Sequence, residues 1–409
     1  MADLFLVVDT GGSQTKIIFQ SSDADSPECL LMPPEVECIS QLQFDRYQER
    51  IGWLGSPSPL QQAWLSVNDQ LWVVGAFAAE FDPEDRLHEK KYENALYKVM
   101  AAIGVIAQTL GLAQRQLSVH LAMLLPWQEF NDRKAFETHL ASLLGEFSFR
   151  QQKLKVKLKS FLCRPEGGGL AATRMRLKGL EWFQQQRLVV LLFGHRNTSA
   201  LYFEQGLFKQ GDSPLYGFSQ MLDLLVARYS VLDKHALLLA LVTAMQKAKE
   251  KLDSNNRLIA NHWNRGNRLH YPLWSNSQAM TALVSVRDDA LRKAELTALS
   301  QAIEAAFEEY WEKLEAWMER VVPDNLDEVI VSGGAALMLE PKLTHYFSEG
   351  NRERPFDGEL VWDAELHESM GEAFNWRYQY HADKAHQIAR FADAYGLFDQ
   401  MLSAAGAKA

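Results

Sequence analysis

Residues 9–16, Asp9-Thr10-Gly11-Gly12-Ser13-Gln14-Thr15-Lys16, combine one carboxylate, three hydroxyls, two glycines, an amide and a lysine in eight consecutive positions. Two glycines let backbone amides approach an anion without a Cβ in the way. Successive amides in a turn make an anion cradle. A single carboxylate suffices for a magnesium ion that keeps most of its waters. These are the parts needed to hold a phosphate chain. The stretch is not a P-loop, which needs two glycines five apart and a Gly-Lys-Ser/Thr that opens a helix. Here apolar runs, Leu4–Val8 and Ile17–Phe19, flank the turn on both sides, the pattern of a β-hairpin. Taken alone, the stretch also reads as an ordinary polar hairpin with a surface lysine.

Two further turns have related designs. The buried-strand run 188–193 (LVVLLF) leads into Gly194-His195-Arg196-Asn197-Thr198-Ser199 and a second strand over 200–204. Asp9 to Lys16 and Leu192 to Ser199 are both seven-residue steps with a glycine two positions in. A repeat at this distance points to two domains of related fold. The third turn, Gly333-Gly334-Ala335-Ala336, follows a buried strand over 328–332. Between the first two lies Arg164-Pro165-Glu166-Gly167-Gly168-Gly169, which breaks the surrounding pattern and marks the boundary between halves.

The chain of 409 residues is too long for one ordinary core. Its apolar content of 47% marks a globular protein. A net charge of −10 without a Lys/Arg block argues against tight direct binding to nucleic acid. Three cysteines, Cys29, Cys38 and Cys163, with no CxxC pair, argue against a disulfide framework or a cysteine zinc site. No apolar run reaches about 18 residues and no signal-peptide pattern opens the sequence. The expected compartment is the reducing cytoplasm, with no membrane span.

The elements that must position the turns read as follows. Residues 21–66 are loops and short strands, and 64–77 a hairpin closed by Asn68-Asp69. Residues 93–110 have helical spacing. A buried strand over 117–125 stops at Pro126. Residues 132–147 form an amphipathic helix, and 153–161 a single strand with one wet face, from the Lys alternation. Residues 216–251 are helical and 253–275 a polar surface loop. Residues 291–321 form a long helix with apolar steps of three and four. A final helix spans 381–402. Trp376, Tyr378 and Tyr380 read as packing residues more than interface anchors.

Together these parts resemble the actin-like ATPase superfamily, which also holds sugar kinases and heat-shock chaperones. VVDTGGSQTK looks like its first phosphate motif, LLFGHRNTS stands where the second belongs, and VIVSGGAAL looks like its adenosine motif. VVGAFA at Val73, MLLPWQEF at Met123, RPEGGGLAA at Arg164, GDSPLYGFSQML at Gly211 and RFADAYGLF at Arg390 resemble the ParM-like, plasmid-segregating branch of bacterial actins.

The resemblance implies an α/β actin-like fold: two RNase H-type domains with mixed sheets around a nucleotide cleft. Domain I would be residues 1–168 plus 380–409, and domain II residues 169–379, with the last helix crossing back to domain I. ATP or ADP with Mg²⁺ is the implied ligand. Asp9 would hold the metal through water. Thr10, Gly11, Gly12, Ser13, Gln14, Thr15 and Lys16 would bind phosphate from one side, and Gly194, His195, Arg196, Asn197 and Thr198 from the other. Gly333, Gly334 and Ala335 would lie against adenine and ribose. Glu166 would orient the attacking water, or cap the helix that begins near Leu170. The superfamily usually has an acid where Leu192 stands, and often one where Ser199 stands. Without them Asp9 is the only acid of the two phosphate turns at a metal-binding position, and hydrolysis should be slow. The implied function is an ATP-binding filament that segregates DNA through a separate DNA-binding adaptor. The alternatives are a chromosomal cytoskeletal filament, a nucleotide-binding scaffold with little turnover, and a metabolic kinase.

Overall fold

A computed structural model describes residues 3–51, 57–84, 86–112, 116–229, 233–253, 278–284, 286, 288–348, 350–351, 354–362 and 390–406. In chain order the first elements are β1 (Leu4–Thr10), β2 (Thr15–Ser21), β3 (Glu28–Met32), β4 (Val36–Ile39), α1 (Gln41–Ile51), β5 (Ala63–Val67), β6 (Gln70–Val74), α2 (Lys91–Thr109), β7 (Leu117–Leu125), α3 (Arg133–Leu144), β8 (Phe147–Phe149), β9 (Gln152–Leu154) and β10 (Val156–Pro165). They continue with α4 (Gly168–Lys178), α5 (Leu180–Phe183), β11 (Arg187–Phe193), β12 (Thr198–Glu204), β13 (Leu207–Asp212), α6 (Phe218–Arg228), α7 (Lys234–Asp253), α8 (Gln278–Thr281), α9 (Asp289–Val321), β14 (Glu328–Ser332), α10 (Ala336–Tyr346), β15 (Glu359–Trp362) and α11 (Ala392–Ala404).

The repeat seen in the sequence is a repeat of topology. One sheet has the order β10-β7-β1-β2-β3 and another β13-β12-β11-β14-β15. In each, an antiparallel three-stranded meander is extended by two parallel strands. Asp9 pairs with Lys16 across the first hairpin, and Leu192 with Ser199 across the second. Both central strands are apolar runs because helices and neighbouring strands cover both faces. β1 is buried along its whole length. A third sheet, β4-β6-β5-β8-β9, is an insertion in the first half. Its β5–β6 hairpin turns on Asn68 and Asp69, both at positive φ, as a two-residue turn that matches strand twist requires.

Several segments differ from the sequence reading. Residues 41–51 form α1, a mostly polar helix in which Phe44, Tyr47 and Ile51 recur at steps of three and four. The helix over 132–147 ends at Leu144, because Phe147 enters β8. The single strand over 153–161 is two strands in two sheets: β9 pairs with β8, and β10 runs parallel to β7. The Lys alternation passes unbroken through Lys155, so periodicity alone cannot show the change of partner. The helical stretch 216–251 is two helices, α6 and α7. The long helix is one piece, α9, capped by the Asp288 side chain on the amides of Ala290 and Leu291. Most of the loop over 253–275, the residues 381–389 and Trp376, Tyr378 and Tyr380 lie outside the described residues.

The two repeated sheets face each other through α4 and α11. Phe5, Val7, Ile18 and Leu124 from the first sheet, Val190, Leu201 and Ile330 from the second, and Leu170, Leu397 and Phe398 from the helices form one buried cluster. α11 packs on α4 and on β1, β2 and β7 of the first sheet. The two helices cross at glycine: a Cβ on Gly396 would stand 2.0 Å from the Gly169 carbonyl oxygen. Among the described residues no helix is long and apolar enough to cross a membrane.

Candidate functional site

The carboxyl ends of the central strands β1 and β11, and of β14 beside β11, each open into one of the three turns. This is where an open α/β sheet offers a crevice. The turns touch one another. A Cβ on Gly12 would lie 3.1 Å from Arg196 Cβ, and one on Gly333, which has φ +106°, would lie 2.3 Å from the Phe193 carbonyl oxygen. Ala335 N–H donates to that same oxygen at 3.0 Å. Arg390 closes the triangle: its guanidinium donates to Ser13 Oγ at 2.9 Å, and its Nε is 3.8 Å from where a Gly334 Cβ would stand. All three predicted groups therefore meet at one place.

Asp9 is the electrostatic centre of the first turn. Its Oδ2 accepts from Lys16, its cross-strand partner, and its Oδ1 accepts from Lys91 Nζ at 2.8 Å. Burial pushes the Asp9 pKa up, but the two ammonium groups hold it well below the usual carboxylate range. Around it, Thr10 Oγ1, Gln14 Oε1 and Thr15 Oγ1 are buried without a hydrogen-bond partner. Buried polar atoms are ordinarily paired, so orphans grouped at one turn point to an absent ligand.

Lys91 is the first residue of α2, and its side chain is 5% exposed. The same ammonium donates to Glu166 Oε1 at 2.7 Å. Burial opposes its charge, yet Asp9 and Glu166 together raise its pKa above the ordinary lysine value. Glu166 Oε2 in turn accepts from Asn197 Nδ2 at 2.7 Å and from Ser199 Oγ at 2.9 Å. A buried chain of charge-assisted hydrogen bonds thus runs from the first turn through the crossover to the second. Two turns further along α2, Lys98 is also buried. Burial, then Lys91, lowers its pKa to about 8, against the opposing pull of Glu35 and Asp9.

The second turn is held from behind by α6. The carbonyls of Gly194, His195 and Arg196 accept from the amides of Phe218, Ser219 and Gly217. Thr198 Oγ1 donates to the Tyr216 carbonyl at 2.8 Å, which gives this predicted ligand residue a structural hydrogen bond. Arg196 reaches across to the first half. It donates to the carbonyls of Leu87 and Glu89 at 2.8 and 2.6 Å and to Glu129 Oε1 at 2.8 Å. Leu192 contributes to the apolar cluster between the sheets, in register with the place Asp9 holds in the first.

Glu166 does not cap α4. The cap position is Gly167, at φ +90° and without a side-chain cap, and the carboxylate on the amides of Gly167, Gly169 and Leu170 is that of Asp393. Glu166 keeps its own N–H on the Leu125 carbonyl and turns its side chain to Lys91, Asn197 and Ser199.

Among the described residues no group of three or more His, Cys, Asp or Glu side chains is built to hold a metal ion. A magnesium ion brought on phosphate keeps most of its waters and would need only one carboxylate here, that of Asp9. The orphaned hydroxyls of Thr10 and Thr15 beside Asp9 agree with that.

Sequence reasoning missed Lys91, Glu129, Arg390 and Asp393. Lys91 stands in a run, Glu89-Lys90-Lys91, that reads as a solvated surface, and nothing local separates it from Lys90. Arg390 and Asp393 lie within a segment, RFADAYGLF, already marked by its resemblance.

No family model and no curated protein matches this sequence. Solved structures match along its whole length. Bacillus thuringiensis ParM with AMPPNP is 13% identical, with a TM-score of 0.54 over 99% of this chain and 100% of that one. The apo psk41 ParM protein is 13% identical, with a TM-score of 0.54 over 98% of each chain. A 15-stranded ParM filament from Clostridium botulinum is 12% identical, with a TM-score of 0.51 over 98% of this chain and 100% of that one. The chain therefore has the actin-like fold, with two mixed sheets of the same topology.

Proposed function

We propose that this chain is an ATP-binding actin homologue that polymerises into filaments and segregates DNA through a separate DNA-binding adaptor. One observation carries this reading. Three turns at the carboxyl ends of β1, β11 and β14 converge around Asp9, and its neighbours Thr10, Gln14 and Thr15 carry unpartnered buried polar atoms. The fold is shared with a ParM that binds AMPPNP and with a ParM that forms a 15-stranded filament, which supports the reading.

In this proposal the cleft separates residues 1–168 plus 380–409 from residues 169–379. Lys16 leaves Asp9 for the phosphate chain, and the amides of Gly11 to Gln14 cradle it. Asn197 and the backbone around Gly194 close the other side. Gly333, Gly334 and Ala335 leave room for the nucleoside. Magnesium carried on the phosphates supplies charge neutralisation there. Glu166 orients water, its carboxylate fixed by Lys91, Asn197 and Ser199. Phosphoryl transfer needs positioning more than strong base chemistry. ATP favours the closed, assembling form, and hydrolysis loosens it.

A second reading, a nucleotide-binding scaffold with little turnover, is favoured by the apolar Leu192 and by Ser199, which donates to Glu166 and carries no negative charge. Sedimentation and negative-stain imaging with ATP, ADP or AMPPNP in magnesium separate the two. Filaments with phosphate release support the first reading, and filaments without it the second. Nucleotide binding without filaments overturns the first reading, and the absence of nucleotide binding overturns both.

A further inference from the structure

Asp393 is the second residue of α11, and it makes no hydrogen bond to the three turns. Its side chain is buried, and its carboxylate is spent entirely on the start of another helix. Oδ2 accepts from Gly167 N–H at 2.7 Å, and Oδ1 accepts from Gly169 N–H at 2.8 Å and Leu170 N–H at 3.2 Å. The first four amides of a helix have no partner inside it, and a side chain just before the helix ordinarily serves them. Here that place is held by a glycine in the left-handed region, so the cap must come from elsewhere. It comes from a residue 226 positions away in sequence.

The fit around this cap is close. A Cβ on Gly169 would lie 1.9 Å from the Asp393 carbonyl oxygen, and one on Gly396 would lie 2.4 Å from Thr173 Oγ1. Glu166 is the residue immediately before Gly167. Its backbone is therefore held between two fixed points, the Leu125 carbonyl at the end of β7 and the Asp393 carboxylate. Its side chain must reach Lys91 in the first half and Asn197 and Ser199 in the second at the same time. Such a three-way contact tolerates little shift of the backbone that carries it.

We propose that Asp393 is the positioning residue for Glu166: by capping α4 from the C-terminal helix, it sets the place of Glu166 between the two phosphate turns. The inference rests on the nucleotide reading above. A displacement of about 1 Å at a group that must be held in reacting geometry costs about 100-fold in rate, whereas binding is far less sensitive. Asn at position 393 keeps one acceptor oxygen and so should restore part of the loss.

The test measures ATP affinity, phosphate release and hydrogen exchange in the full chain for Asp393→Ala and Asp393→Asn. Asp393→Ala is expected to lower kcat by about 100-fold while KM and ATP affinity stay within about threefold, and Asp393→Asn to fall between it and wild type. The amides of Gly167, Gly169 and Leu170 should lose protection in Asp393→Ala and keep part of it in Asp393→Asn. Wild-type turnover in a folded Asp393→Ala, or equal loss of kcat and affinity, overturns the proposal. So does unchanged protection at those three amides. If the wild-type chain binds no ATP, the nucleotide reading falls, and the exchange data still decide whether Asp393 holds the segment of Glu166.

Discussion

Lys91 Nζ donates to Glu166 Oε1 at 2.7 Å, and both side chains are buried. The same ammonium holds Asp9, so a single cation joins the acid of the first turn to the acid of the crossover. In a hairpin pair where the second turn has Leu192 in place of an acid, the second carboxylate near Asp9 is supplied by Glu166 and balanced by lysine.

Lys91→Met is expected to lower stability by ~3–5 kcal/mol in urea denaturation, because it leaves buried carboxylates without a cation. Lys16 still faces Asp9, so the larger part of the loss should come from Glu166. Coupling in a Lys91→Met, Glu166→Gln double-mutant cycle checks that assignment: the double variant should be less destabilised than the sum of the singles.

Glu166→Gln keeps the shape of the side chain and an acceptor for Asn197 and Ser199. Phosphate release should fall by about 10²-fold or more with ATP affinity nearly unchanged, as expected for a group that acts on the reacting water. Single-turnover kinetics beside equilibrium binding measure the two separately.

Arg196 bolts the second turn to Leu87, Glu89 and Glu129 of the first half. Arg196→Ala should speed nucleotide release by about tenfold or more, since each hydrogen bond to a charged group contributes about 1.5–3 kcal/mol to the closed arrangement. Stopped-flow displacement of a fluorescent ATP analogue reads this directly. Glu129→Gln should produce a smaller effect in the same direction.

Gly169→Ala should destabilise the chain by at least ~1–3 kcal/mol, because its Cβ would enter the Asp393 backbone and the two helices would have to separate. Gly145→Ala is the control. Its Cβ would meet only the Ser142 carbonyl oxygen, at 3.4 Å, so its change should stay within about ±0.5 kcal/mol.

Burial, with Asp9 and Glu166 nearby, raises the Asp393 pKa from the ordinary 3.8 to about 7, against the pull of the Gly167 and Leu170 amides. A raised folded pKa means that the native state binds the proton more tightly than the unfolded chain. Its contribution to stability is therefore full below about pH 4 and lost as pH rises to about 7. The urea midpoint of wild type should fall more between pH 5 and pH 8 than that of Asp393→Asn, which has no group to titrate there.

Much of the fold was legible because it is written locally. The Leu4–Phe19 hairpin, the Asn68-Asp69 turn and the apolar stripe of α9 each follow from spacing and turn chemistry within a short window. The second hairpin was legible as a copy of the first. Residues 153–161 were misread because a strand that changes partners at Lys155 keeps the same alternation in both sheets. β9 pairs locally with β8 across the Arg150-Gln151 turn, both residues at positive φ, whereas the partner of β10 is β7, far back in the sequence, which no local pattern specifies.

By itself the sequence determined the three turns, their order and the absence of acids at Leu192 and Ser199, because these are matters of residue type and spacing. Only the tertiary structure decided which charges face one another. Asp9 and Lys91 are 82 residues apart in sequence, and Gly167 and Asp393 are 226 apart. A lysine in a charged run and an aspartate at a helix start are unremarkable until folding removes them from water. Burial then makes each carboxylate and ammonium require a partner, and the partners that meet the requirement join the turns to the helices behind them.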